Sequence, residues 1–166
     1  MSTLVLPAGT GYVAGAFLST VLVLLYQTRT VGKYRHLAGV EYPRAYAEKE
    51  EMKANPNAVL FNCAQRAHQN TLENLPMLLI GTVITSLKYP QAAAAALTVW
   101  SISRVGYTVG YITGTPKKRT NALSVLQYPA GYGLLLSLYI HRCATHSCGA
   151  ESLINIQVKQ SLRFLV

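Results

Sequence analysis

Four apolar runs, each close to the length a helix needs to cross a bilayer, constrain this chain more than any other feature. A spanning helix takes roughly 20 mainly apolar residues. The runs lie at about residues 9–29, 60–87, 91–113 and 122–141. The first is headed by "GTGYVAGAFLSTVLVLLY", and the third opens on "QAAAAALTVW". The predicted fold is therefore all-α, an integral membrane four-helix bundle over residues 1–142, followed by a tail at 143–166. The tail is too short and too polar for another span, and Ser152 to Val166 reads as an amphipathic helix on the membrane surface. Met1 to Tyr26 lacks a basic leader segment, so the first run reads as a retained helix. Pro76 and Pro129 fall inside spans and are expected to kink them, which neighbouring helices can accommodate. The alanines from Ala92 to Ala96 allow close helix packing.

Charge fixes the expected orientation. The chain is 51% hydrophobic and 13% charged, and its net charge of +9 comes from 15 Lys and Arg against 6 acidic residues, all Glu. A nucleic-acid binder would gather such charge on one polar face or tail. Here the cations sit between apolar runs, which excludes that class. Arg29, Lys33, Arg35, Arg44, Lys49 and Lys53 fall between the first two runs, and Lys117, Lys118 and Arg119 between the last two. The opposite side carries only Lys88, Arg142, Lys159 and Arg163. The positive-inside rule places the first and third loops in the cytosol and both termini across the membrane. Cys63, Cys143 and Cys148 have neither zinc spacing nor the number for a disulfide framework, so no metal site is expected.

The second run opens with polar residues: "FNCAQRAHQNTLENLP". At 100° per residue, Asn62, Arg66, Gln69, Asn70 and Glu73 share an arc of roughly 100°. Lipid cannot solvate such a face, so it must look into protein or a watery cavity. On the third run Arg104, Tyr107 and Tyr111 fall within about 60° of one another. Two such stripes at the cytosolic ends of adjacent helices make a cavity of cations, a carboxylate, amides and phenols. That set suits a small zwitterionic peptide with several carboxylates better than a lipid headgroup or a metal ion. A bland account of the same residues also exists. Arg66 and Glu73 can be an internal ion pair, the tyrosines an interfacial belt, and "KKR" a topology signal facing anionic lipid.

"FNCAQRAHQNTLENLP", with "VEYP" before it and "RVGYTVGYITGTPKKR" after it, resembles the MAPEG superfamily, the membrane-associated proteins of eicosanoid and glutathione metabolism. The resemblance runs from the first helix to about His141 and is greatest to the type-three microsomal glutathione transferases. It implies a homotrimer of four-helix subunits in the endoplasmic reticulum membrane, with the outer mitochondrial membrane as the alternative. It further implies glutathione as co-substrate, held between subunits on the cytosolic side. Arg66, Asn70 and Glu73 match the family's second-helix glutathione-binding motif, with Arg66 on a carboxylate and Glu73 on the γ-glutamyl ammonium. Tyr107 and Tyr111 match tyrosines that border the tripeptide. His68 stands where leukotriene C4 synthase has a glutamine that contacts glutathione, although it lies about 160° from Arg66 around the helix. The family's thiolate-stabilising arginine maps to Arg119, with Lys118 as the alternative. A second family arginine, near the end of the first helix, has no clean match among Arg29, Lys33 and Arg35.

The resemblance therefore implies an enzyme whose glutathione thiolate conjugates a hydrophobic electrophile or reduces a lipid hydroperoxide. The alternative is a non-catalytic lipid-presenting protein like the family's five-lipoxygenase activating protein. Cys143 and Cys148 are candidate sites of fatty acylation, or a free or disulfide-bonded pair.

Overall fold

In the computed structural model, which describes residues 8–134, three long helices pack against one another. They are α1 (Thr10–Ala38), α3 (Pro56–Ser86) and α4 (Pro90–Tyr111). A short helix, α2 (Lys49–Ala54), sits in the connection between α1 and α3. After α4 come two 3-10 turns, Pro116–Arg119 and Ser124–Leu126, and then a helix at 127–134, α5. No strand occurs among the described residues. The tail and its two cysteines, and the fourth run beyond residue 134, lie outside the described residues.

Local chemistry sets the helix ends. The apolar pattern stops the first helix near residue 29, but the structure carries it to Ala38. Arg29, Lys33 and Arg35 therefore belong to its last turns and not to a loop. Hydropathy reports where an apolar environment would end; a helix goes on until its backbone is capped. Gly39 supplies the cap at φ 68, donating to the His36 carbonyl while Val40 donates to Arg35. Only a residue without a β carbon adopts that left-handed conformation cheaply. The α2 helix opens with a capping box, the Glu48 N–H donating to Glu51 at 2.8 Å. α3 starts on Asn55, whose side chain accepts from the Asn57 N–H at 2.9 Å, with Pro56 in the first turn. α3 runs as one helix through Pro76. α5 begins later than the apolar pattern suggests, because residues 122–126 are taken up by turns.

One core cluster joins Val13 and Ala16 of α1, Leu78 of α3, and Ala93, Ala94, Leu97 and Trp100 of α4, closed by Ala130 and Leu134 of α5. Towards the other end the contacts become polar. Thr20 meets Ser101 at 3.0 Å, and Gln27 donates to both Thr71 and Thr108 at 2.8 Å. Interhelical hydrogen bonds of this kind hold helices together where lipid offers no hydrophobic contrast. The outer faces are strongly apolar: Leu18, Leu22 and Leu25 on α1, Met77, Ile80 and Val83 on α3, and Ile102 and Val109 on α4 are all exposed. α1, 29 residues long, is by length and composition apolar enough to cross a membrane.

Gly32, exposed on α1, has nothing within 4 Å of the position a β carbon would take. Alanine there gains about 1 kcal/mol of helix propensity. Gly32→Ala is expected to raise the thermal midpoint of the detergent-solubilised protein by about 2–4 °C. A fall in the midpoint would mean that this face packs against another molecule.

Candidate functional site

The polar cluster is built where α3, α4 and α5 meet. Arg104 of α4 is its hub, 1% exposed although it carries a full charge. Its Nε donates to Thr71 at 3.0 Å, one Nη to Gln127 at 2.5 Å, and the other to Asn70 Oδ1 at 3.0 Å and the Ala67 carbonyl at 3.4 Å. The guanidinium stacks on the Tyr107 ring, 4.0 Å from its centroid. Among the described residues no carboxylate pairs with it. Five hydrogen-bond donors in a rigid fork and a π face take the place of a counter-ion.

Around this hub opens a cavity of about 500 Å³. Asn70, Tyr107, Gln127 and Arg119 give it a polar wall, and Met77, Leu78, Trp100 and Leu134 an apolar one. Three of these wall residues are held directly by Arg104. Tyr107 is buried and packs edge-on against Tyr111, with ring centroids 5.6 Å apart. Tyr107 also lies within electrostatic reach of Arg66 and Arg119.

Arg66 and Glu73 form an ion pair at 2.6 Å, seven residues apart on α3, and both side chains are about half exposed. This pair is open to an incoming ligand and is not locked in a core. As with surface pairs generally, it contributes little to stability. Arg119 ends the first 3-10 turn, exposed, with its Nη1 donating to the Pro116 carbonyl at 3.3 Å and its guanidinium 5.7 Å from the Tyr111 centroid. Lys118 does not line the cavity; its carbonyl is turned onto α4 at Gly110. Of the expected site residues, Asn70, Tyr107 and Arg119 line the cavity; Arg66, Glu73 and Tyr111 do not, but Tyr111 packs on Tyr107 and Arg66, paired with Glu73, lies within electrostatic reach of Tyr107. His68 does not line it either: its Nδ1 faces inward to Gln27 Oε1 at 3.3 Å.

Two members of the polar stripe hold structure. Asn62 makes a reciprocal pair with Ala47, accepting from its N–H at 2.8 Å and donating to its carbonyl at 2.9 Å. Gln69 accepts from the Tyr46 hydroxyl. Of the three first-helix cations, Arg35 is buried, donating to the Arg44 and Val40 carbonyls between the rings of Tyr42 and Phe61. Arg29 and Lys33 stay on the exposed face of α1. Sequence reasoning passed over Gln27, Gln127 and Tyr46. Gln27, a lone amide at the end of an apolar run, was the one legible signal. Gln127 and Tyr46 matter only through partners far along the chain.

An all-α protein with an apolar exterior and a buried polar hub beside an amphipathic cavity belongs to a membrane class. The sequence profile of the MAPEG family matches residues 13–139, and this chain belongs to that family. The family is membrane-associated and includes glutathione transferases and peroxidases as well as non-catalytic members.

Proposed function

We propose that this protein is a membrane glutathione transferase and peroxidase of the type-three microsomal kind, a homotrimer of four-span subunits in the endoplasmic reticulum membrane with its site facing the cytosol. The observation that carries this reading is the open Arg66–Glu73 pair beside a cavity whose walls are polar at one end and apolar at the other. Glutathione has two carboxylates, an ammonium, two amides and a thiol. Arg66 takes a carboxylate by a charge-assisted bond, Glu73 takes the ammonium, and Asn70 meets the peptide. Tyr107 and Tyr111 border the chain, and the apolar wall receives the hydrophobic substrate.

The reaction needs a thiolate, and a free thiol of pKa near 8.5 is only a few per cent ionised at neutral pH. Arg119, permanently charged, supplies the positive field. In conjugation the thiolate sulfur forms a bond to the electrophilic carbon; either a leaving group departs with its electron pair, or in an addition the pair moves to a neighbouring atom, which takes up a proton. In peroxide reduction the thiolate attacks the terminal hydroperoxide oxygen, the O–O bond breaks to leave a sulfenic acid, and the departing alkoxide takes up the proton that the thiol gave up. A second glutathione then converts the sulfenic acid to disulfide and water.

Thiolate absorbance in the ultraviolet, followed while the purified protein is titrated with glutathione, tests the reading. Arg119→Ala is expected to retain glutathione binding while the thiol pKa rises by about 1–2 units, each worth about 1.4 kcal/mol, so that thiolate at neutral pH and turnover fall about 10–100-fold. Full activity in Arg119→Ala would remove Arg119 from the chemistry. Glutathione binding without thiolate in the wild type would leave a binding protein, and no binding at all would favour the lipid-presenting alternative.

A further inference from the structure

The connection between α1 and α2 is pinned at three points. Buried Arg35 holds the carbonyls of Val40 and Arg44, the latter at 2.7 Å. Arg44 reaches forward to Glu51 at 2.9 Å. Asn62 fixes both the N–H and the carbonyl of Ala47. Tyr46 stands between the last two pins, so its backbone position is set from both sides. Its side chain crosses to α3, where the hydroxyl donates to Gln69 Oε1. Arg66, Glu73 and Tyr111 are all within electrostatic reach of the phenol. Partial desolvation holds its pKa above the usual tyrosine value, against the opposing pull of Arg66, so it remains an O–H donor throughout the physiological range.

In the free protein Arg66 is neutralised by Glu73 at 2.6 Å. A zwitterionic ligand must part that pair, its carboxylate going to Arg66 and its ammonium to Glu73. A carboxylate accepts several hydrogen bonds, and the nearby phenol is a donor occupied only by a neutral amide oxygen. Exchanging that amide for a charged acceptor gives a stronger bond.

We propose that Tyr46 is a ligand-binding residue, its phenol donating to the same ligand carboxylate that Arg66 holds; the proposal rests on the reading of the site as a glutathione pocket. The connection before α2 thereby becomes one wall of the site, contributed from outside α3 and α4. Its three pins then serve binding by keeping the phenol in place before the ligand arrives.

The test is calorimetry on the detergent-solubilised full chain with glutathione and with two analogues. One analogue has the glycyl carboxylate esterified, and the other lacks the γ-glutamyl α-carboxylate. Tyr46→Phe keeps the ring and is expected to weaken glutathione binding about tenfold, the loss of one charge-assisted hydrogen bond, with the bound thiol's pKa unchanged. Whichever analogue lacks the carboxylate met by Tyr46 is expected to bind the variant and the wild type equally; the other should show the tenfold loss. Gln69→Leu, which frees the phenol, is expected to bind glutathione at least as tightly as wild type. Unchanged binding by Tyr46→Phe, a tenfold loss with both analogues, or equal weakening by Gln69→Leu would each overturn the role of Tyr46. Absence of glutathione binding in the wild type would overturn the pocket reading itself, and the role of Tyr46 with it.

Discussion

Arg104→Ala is expected to destabilise the protein by about 2–3 kcal/mol, lowering the thermal midpoint in detergent by about 5–10 °C. Two effects oppose each other. Removing a fully buried cation relieves its desolvation, which costs several kcal/mol where no carboxylate pairs with it. Against that, four acceptors on two helices lose a bond at once: Asn70 on α3 and Gln127 at the start of α5 lose their donor, while Thr71 keeps the bond from Gln27 and the Ala67 carbonyl that from the Thr71 hydroxyl. The space vacated between the helices also loses its contact with the Tyr107 ring. Each orphaned buried group costs about 1–3 kcal/mol. Asn70 and Gln127 face the cavity and can be partly rehydrated, so the net loss comes from these two groups together with the space left by a large buried side chain, and it exceeds the relief. Arg104→Lys is expected to recover little, because one ammonium cannot span from α3 to α5. Thermal unfolding of the three proteins in one detergent decides it. A midpoint unchanged in Arg104→Ala would mean that desolvation cancels the whole network.

Gly110→Ala is expected to reduce kcat/KM for glutathione conjugation about a hundredfold while glutathione affinity changes less than about threefold. A β carbon on Gly110 would lie 2.2 Å from the Lys118 carbonyl oxygen and 2.7 Å from Asn121 Nδ2. No van der Waals contact is that short, and a backbone atom cannot rotate away as a side chain can. The loop must retreat by about 1 Å, a displacement of the size that costs two orders of magnitude when a reacting group rides on it. Arg119 is the next residue, and Asn121 tethers the same loop by donating to the Gly106 carbonyl at 2.7 Å. The residues proposed to bind glutathione, Arg66, Asn70 and Glu73, stand on α3 and do not move with it. Steady-state kinetics beside calorimetry separates the two effects. A variant with full turnover would show that the exact seat of Arg119 is immaterial; one that also lost binding would place the loop in the binding wall.

That the chain is all-α was legible because helix formation depends on quantities local to the chain. Apolar runs of spanning length and a polar arc at helical spacing are properties of consecutive residues, so the helices and the stripe from Arg66 to Glu73 could be read directly. The end of α1 was misplaced for an equally local reason: hydropathy was read where the capping glycine, Gly39, should have been. Among the cations, composition assigns the same loop role to Arg29, Lys33 and Arg35, whereas burial separates Arg35 from the others. The choice between Lys118 and Arg119 could not be made from spacing. In a 3-10 turn adjacent residues point roughly 120° apart, so a shift of one residue changes which side chain meets the cavity.

By itself, then, the sequence determined an all-α membrane-family chain with a charged stripe at one end of its second long helix, because periodicity and apolar length are written in neighbours. Only the tertiary structure decided what that stripe faces. Arg104 became its buried hub because Asn70, Thr71 and Gln127 converge on it from two other helices. Tyr46 came within reach of Gln69 and Arg66 because Arg35 and Asn62 fold its loop back onto α3. Arg119 was aimed because Gly110 leaves room for the backbone beside it. Each of these needs at least one contact outside a single helix, most of them 15 or more positions apart, the shorter being the five and nine from Arg35 to Val40 and Arg44 and the eight from Gly110 to Lys118, and no periodicity within one helix encodes such a meeting.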